Sequence, residues 1–260
     1  MKIAALQMVS TTSVEQNCAT AAHLIAQAAR DGAELVALPE YFCVMGRSER
    51  DKLAVAETPG DGPIQSMLSD AAREHRIWVI GGTLPLRSPD PQRVLNSNGV
   101  YAPDGTLAAR YDNGRERYDE GASILGGNVP TALQAGALRV GLSVCYDLRF
   151  PELYRELMHP PCDLLSVPAA FTYTTGLAHW ELLLRARAVE NQCYVIAAAQ
   201  GGTHENGRRT WGHSMVIDPW GQVLAVRPEG EGVVLAELDP ARIASVRAQL
   251  PALEHRRHTA

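Results

Sequence analysis

Apolar residues along the chain fall into short unbroken runs separated by stretches of helical periodicity, which is the pattern of buried strands alternating with helices. Ile3 to Met8 reads as a first strand. From Val14 to Asp31 the apolar positions Val14, Cys18, Ala22, Ile25 and Ala29 share one helical face, with Ser13 as N-cap and Gly32 as terminator. Leu35 to Leu38 is wholly apolar and stops at Pro39-Glu40, and residues 43–62 are irregular and polar. A helix is predicted over Ile64–His75 and a strand over Trp78–Gly82, while residues 85–96, rich in proline and arginine, read as a loop. Ser97–Tyr101 and Thr106–Tyr111, joined by Pro103-Asp104-Gly105, form a hairpin pattern, and residues 112–130 show no periodicity.

The second half repeats the style. Val140, Leu142 and Val144 mark a buried strand that stops at Cys145, and Pro151–Met158 opens as a helix with proline in its first turn. Asp163–Pro168 is another apolar strand closed by proline, and Leu164–Phe171 echoes Leu35–Phe42 closely enough to suggest two related halves. Ala178–Glu190 reads as a long helix, Tyr194–Ala199 as a strand, and residues 200–212 as a Gly-rich loop. Short strands over Ser214–Ile217, Gly221–Val226 and Gly232–Leu238 precede a last helix over Pro240–Leu250 and a polar tail, 250–260. No linker divides residues 1–260, so one α/β domain is expected.

Composition narrows the function. A net charge of −5 and a pI near 5.9 argue against nucleic acid as partner, because the basic pairs Arg208-Arg209 and Arg256-Arg257 are too small to reverse the field. No apolar run reaches membrane-spanning length, and the N-terminus lacks a signal pattern. Five cysteines without C-x-x-C spacing argue against a disulfide framework and for a reducing, cytoplasmic setting. The eight histidines show no chelating spacing, so no metal is expected.

Two residues stand at strand ends, where ligands bind in open α/β sheets. Cys145 lies between a core strand and a helix start, where backbone N–H groups favour a thiolate; alone, such a thiol is more often structural. Glu40 holds the equivalent place beyond Leu35–Pro39, and paired with Cys145 it becomes a candidate general base. His179 and Trp180, together with Phe171 and Thr172, are candidates for the wall of a site, although a structural hydrogen bond is as good a reading of His179.

With these residues in view the chain resembles the nitrilase, or carbon–nitrogen hydrolase, superfamily over essentially its whole length. Ala4-Ala5-Leu6-Gln7, Leu38-Pro39-Glu40, Cys145 to Glu152, and His179-Trp180 with Arg185 to Ala188 carry the likeness. Gln192 to Val195, Gly212 to Gly221 and Leu250 to Arg257 are most similar to the branch that hydrolyses deaminated glutathione, near ω-amidase. The resemblance implies an αββα sandwich of two stacked mixed β-sheets covered by helices, a homodimer or higher homo-oligomer, a small-molecule amide substrate and no cofactor. It assigns Glu40 as base, Cys145 as nucleophile, the Tyr146 N–H as oxyanion donor and Glu120 as an orienting carboxylate.

One part of the family pattern is missing. Relatives place a catalytic lysine shortly after a strand end such as Tyr111, whereas here Tyr111-Asp112 runs directly into Asn113-Gly114-Arg115-Glu116-Arg117. Either a segment is omitted from the sequence at this point, the favoured reading because both flanks still match, or the protein does without it and Arg110, Arg115 or Arg117 partly substitutes. The only lysines, Lys2 and Lys52, match nothing catalytic. Loss of one preorganised oxyanion donor costs on the order of 3–4 kcal/mol in the transition state.

Overall fold

A computed structural model describes residues 1–48, 50–113, 123–127 and 129–257. Its strands are β1 Lys2–Gln7, β2 Leu35–Ala37, β3 Trp78–Ile80, β4 Leu84–Arg87, β5 Val94–Tyr101, β6 Leu107–Asp112, β7 Thr131–Ala135 and β8 Leu138–Leu142. They continue with β9 Leu164–Ser166, β10 Tyr194–Ala197, β11 Gly201–Thr203, β12 Arg209–Trp211, β13 Ser214–Ile217, β14 Val223–Arg227 and β15 Gly232–Glu237. The helices are α1 Val14–Arg30, α2 Asp51–Ala54, α3 Pro63–His75, α4 Pro151–Glu156, α5 Tyr173–Asn191 and α6 Pro240–Gln249. A 3₁₀ turn, Cys145–Arg149, joins β8 to α4.

One sheet runs β15-β1-β2-β3-β5-β4, with β6 on β5, and the other runs β14-β13-β10-β9-β8-β7. Their apolar faces meet in a layer that includes Ile3, Leu35, Ile80, Leu142, Leu164 and Ile196. The outer face of the first sheet packs on α1 and α3 through Leu6, Leu24, Ile25, Val36 and Leu68. The outer face of the second packs on α4 and α5 through Leu153, Tyr154, Leu165, Trp180 and Leu184. Helix, sheet, sheet, helix: this is the αββα sandwich. Each strand sends alternate residues to the two layers, which is why β2 and β10 lack polar side chains other than the Tyr194 hydroxyl and β1 and β9 carry them only at their ends.

β2 lies parallel between β1 and β3, and β9 parallel between β8 and β10. The Leu35–Phe42 and Leu164–Phe171 segments therefore hold corresponding places in their two sheets. Three expectations are corrected. Residues 85–96 are not all loop, because β4 and the start of β5 lie there in antiparallel pairing. Pro85 is tolerated since its backbone faces away from β5, where its carbonyl accepts the Glu57 N–H at 3.1 Å. The Gly-rich stretch 200–212 contains the β11–β12 hairpin. Helix α5 begins at Tyr173 rather than Ala178, and its Gly176 lets the helix lie on Trp211, whose Cβ would be 2.1 Å from any Cβ placed there. The chain passes directly from Asp112 to Asn113, whose N–H extends the β5–β6 ladder to the Asn96 carbonyl at 3.0 Å.

Candidate functional site

The segment that leaves β9, Pro168-Ala169-Ala170, carries the geometry of the site. Its Pro168 carbonyl accepts the Cys145 N–H at 2.8 Å, and its Ala170 N–H donates to Oε2 of Glu40 at 2.9 Å. Those two anchor points flank Ala169, on residues whose Cα atoms are about 7 Å apart in an extended backbone. Glu40 and Cys145, one from each sheet, are thus fastened to a single strand end.

Glu40 is 2 % exposed. Its Oε1 accepts from Nδ2 of Asn96 at 3.1 Å, so each carboxylate oxygen has a donor, and its own carbonyl accepts from Nε2 of Gln200 at 3.1 Å. Gln200 is held in turn by Ser10, whose N–H reaches its Oε1 at 3.0 Å. The next residue, Tyr41, has a left-handed φ of 55° and donates its N–H to Thr83 Oγ1 at 2.9 Å. These contacts fix the carboxylate's direction, which an acid–base group requires.

Cys145 is half-buried and also left-handed, with φ of 46°, a conformation rare for a non-glycine residue and sustained only where neighbours enforce it. The enforcement comes from Asp147. Its Oδ2 accepts the Val144 N–H at 2.9 Å and the Tyr111 hydroxyl at 2.7 Å, while the Asp147 N–H donates to the Val144 carbonyl at 3.0 Å. Asp147 is fully buried, and Tyr111 belongs to the end of β6, so a carboxylate in one sheet is tied to a phenol in the other. The other four thiols differ. Burial pushes Cys18 and Cys162 up to about 11 and raises Cys43 and Cys193 further.

The remaining candidates separate. Tyr146 is half-buried beside Cys145, with its ring edge-on to Phe150 at 5.4 Å. Phe171 is 7 % exposed and sits between the Arg149 guanidinium, 5.2 Å from its ring centroid, and Trp180 at 4.9 Å. Thr172 is the N-cap residue of α5 and its hydroxyl bonds that of Thr175 at 2.8 Å. Trp180 is fully buried in the outer core, with Nε1 donating to the His213 carbonyl at 2.9 Å, so it supports Phe171 from behind. His179 is exposed, with Nδ1 3.2 Å from Nη1 of Arg149. Glu120, Arg115 and Arg117 lie outside the described residues; Arg110 is paired with Asp112 at 3.1 Å.

Sequence reasoning missed Asn96, Tyr111, Asp147 and Gln200. Asn96 fell in a presumed loop. Asp147 stands two residues after the nucleophile, a spacing at which a carboxylate can cap the turn it begins, and that signal was available. Among the described residues no group of three or more His, Cys, Asp or Glu side chains is placed to hold a metal ion, and no helix is long and apolar enough to cross a membrane.

The carbon–nitrogen hydrolase family model matches residues 2–248. A Synechocystis protein named deaminated glutathione amidase is 40% identical over 265 residues, covering 97% of each chain. The crystal structure of Saccharomyces cerevisiae Nit3, described as a member of branch 10 of the nitrilase superfamily, is similar at 30% identity. Its TM-score is 0.93, over 99% of this chain and 97% of that one. A variant of the amidase from Nesterenkonia sp. AN1, with acrylamide added at its active-site cysteine, aligns with a TM-score of 0.82 at 27% identity, over 96% and 98% of the two chains.

Proposed function

The chain belongs to the carbon–nitrogen hydrolase family, and we propose that it is a thiol amidase cleaving a small amide such as deaminated glutathione, which loses cysteinylglycine, or a primary amide, which loses ammonia. The observation that carries the reading is the common anchorage of Glu40 and Cys145 on Pro168–Ala170. The 40% identical relative named for that substrate supports it.

In this mechanism the Glu40 carboxylate takes the Cys145 thiol proton, and the sulfur forms a bond to the amide carbon as the carbonyl π electrons move to oxygen. The Tyr146 N–H stabilises that oxyanion. Collapse of the intermediate breaks the C–N bond; Glu40 returns its proton to the nitrogen, and the amine, cysteinylglycine from deaminated glutathione or ammonia from a primary amide, leaves a thioester on Cys145. Water then attacks the thioester, again giving a proton to Glu40, and the acid and thiol are released. Glu120 would orient the site as the family resemblance implies. If the protein itself lacks the lysine after Tyr111, the oxyanion has one donor fewer and turnover is slower by roughly two to three orders of magnitude than in a lysine-bearing site.

A cytoplasmic setting fits the free cysteines. A homodimer fits α5, which exposes Leu177, Leu182 and Val189 although its opposite face is already packed. The test is release of cysteinylglycine from deaminated glutathione and of ammonia from α-ketoglutaramate by the unsubstituted protein, with C145S and E40Q as controls. Activity lost in both variants is expected. No product from either amide, or full activity in C145S, overturns the reading.

A further inference from the structure

β5 carries three buried polar residues in succession, Asn96-Ser97-Asn98. Asparagine is a poor strand former, and an amide is retained in a core where something bonds it. Two of the three are accounted for. Nδ2 of Asn96 donates to Glu40, and on the opposite face of the sheet the Ser97 hydroxyl donates to Oδ1 of Asp112. Asn98 differs. It is 0 % exposed, and neither its Nδ2 nor its Oδ1 has a hydrogen-bond partner among the described residues, where it is the only amide unmet at both ends.

Its surroundings belong to the site. Side chains alternate along a strand, so Asn98 shares the inward face of β5 with Asn96 on one side and with Val100, part of the layer between the sheets, on the other. Across the ladder Asn98 is paired with Tyr111 on β6, whose hydroxyl bonds Asp147. The unmet amide therefore stands between the donor that aims the base and the phenol that reaches across to the other sheet.

Leucine, of similar volume, would fill this position and leave no polar group unmet, so the amide calls for a partner other than protein. Water meets that need. Fixing a water molecule costs less than leaving a buried donor and a buried acceptor both unpaired, and water serves either end of an amide. The spacing suits it as well. Residues i and i+2 of a strand lie about 7 Å apart with parallel side chains, and a water bonded to two amides spans roughly 6 Å. A water that donates to Oδ1 of Asn96 also fixes which way that amide points. Reversed, it would set its oxygen against the Glu40 carboxylate, acceptor against acceptor.

We propose that Asn98 is a positioning residue of the site: it holds internal water against the Asn96 amide, and that water keeps Nδ2 of Asn96 directed at Glu40. Asn98 acts on the base through Asn96. The inference rests on the reading of Glu40 as the base of Cys145 and is independent of which amide is the substrate.

Two measurements test it without turnover. A crystal structure of the unsubstituted protein that resolves ordered solvent is expected to show water within hydrogen-bond distance of both Asn98 and Asn96. The rate of Cys145 alkylation by iodoacetamide is then followed against pH in the parent, Asn98→Leu, Asn98→Ser and E40Q, each checked for native melting. Without the water the bond to the charged carboxylate weakens, so the acid limb of the profile moves up by about 0.5 pH unit or more in Asn98→Leu. Asn98→Ser, whose hydroxyl still bonds water, moves it by less than half as much. A crystal structure without water shared by the two amides overturns the proposal. So does the parent profile in Asn98→Leu, and so does an equal shift in both variants, which altered packing alone would give. If Asn98→Leu fails to fold, the crystal structure decides. An acid limb that E40Q leaves in place refutes Glu40 as the base instead, and the water in the crystal then supports or overturns the Asn98 site by itself.

Discussion

The tie between the two sheets at Tyr111 and Asp147 makes a quantitative prediction. The phenol donates to Asp147 Oδ2 at 2.7 Å, with Tyr111 3 % and Asp147 0 % exposed, so water cannot replace the bond once it is lost. Tyr111→Phe keeps the ring and removes only the hydroxyl. A buried hydrogen bond to a charged group contributes about 1.5–3 kcal/mol. For a chain of this size each kcal/mol moves Tm by about 2–4 °C, which places the fall at about 3–12 °C. Asp147 keeps its bond to the Val144 N–H in this variant, so the left-handed turn at Cys145 survives and kcat falls by less than about tenfold. Asp147→Ala removes both bonds and strands the Val144 N–H, for a loss of about 3–5 kcal/mol. Denaturant unfolding of the two single variants and the double variant closes the cycle, with an expected coupling of about 1.5–3 kcal/mol. A coupling below about 0.5 kcal/mol, or a Tyr111→Phe protein melting within about 1 °C of the parent, would refute the claim that this bond ties the two sheets together.

Two further outcomes follow from the same structure. Iodoacetamide at pH 7.5 is expected to label Cys145 alone, as read by peptide mass mapping. Cys18 and Cys162, raised to about 11 by burial, are thiolate in roughly three molecules per ten thousand at that pH, and Cys43 and Cys193 are raised further; fast labelling retained in C145S would contradict this. His204, whose Nδ1 lies 2.8 Å from the Ser10 carbonyl and Nε2 2.8 Å from the Thr210 hydroxyl, is held below 6.5 chiefly by burial. The unfolded chain then binds the proton first, so stability is complete above pH 6.5 and declines as pH falls from there toward the lower folded value. Melting of H204N should lose that part of the acid dependence, and an identical pH profile in parent and variant would exclude it.

How much of this could be read from the residues differs by kind of element. Strands buried on both faces, such as β1, β2 and β9, declare themselves because polar residues fall only at their ends. β4 did not, since Pro85 reads as a breaker until it is known which way its backbone faces, and that depends on Glu57, nearly thirty residues earlier. The first turn of α5 was missed for a related reason. Thr172 to Gly176 is poor helix sequence, and it is helical because Gly176 must let Trp211 approach, a contact made by a hairpin that local pattern does not reveal.

The site divides along the same line. Glu40 and Cys145 were legible because each ends an apolar run, and the ends of parallel strands in stacked sheets gather at one edge. What aims them was not. Two of the anchors, the Pro168 carbonyl and the Ala170 N–H, are backbone atoms, which every residue possesses and no residue type announces. Lys52 shows the converse case. In sequence it stands among Arg47, Glu49, Arg50 and Asp51, where a charged residue is ordinarily solvated. Only the left-handed turn at Tyr41 carries the aromatic ring back over Ala170 and gives the ammonium an apolar face to rest on. The same strand-end geometry that presents Glu40 to the thiol thus turns its neighbour toward the cation. A substitution that relaxes Tyr41 should therefore disturb both the aim of the neighbouring Glu40 and the seat of the Lys52 ammonium.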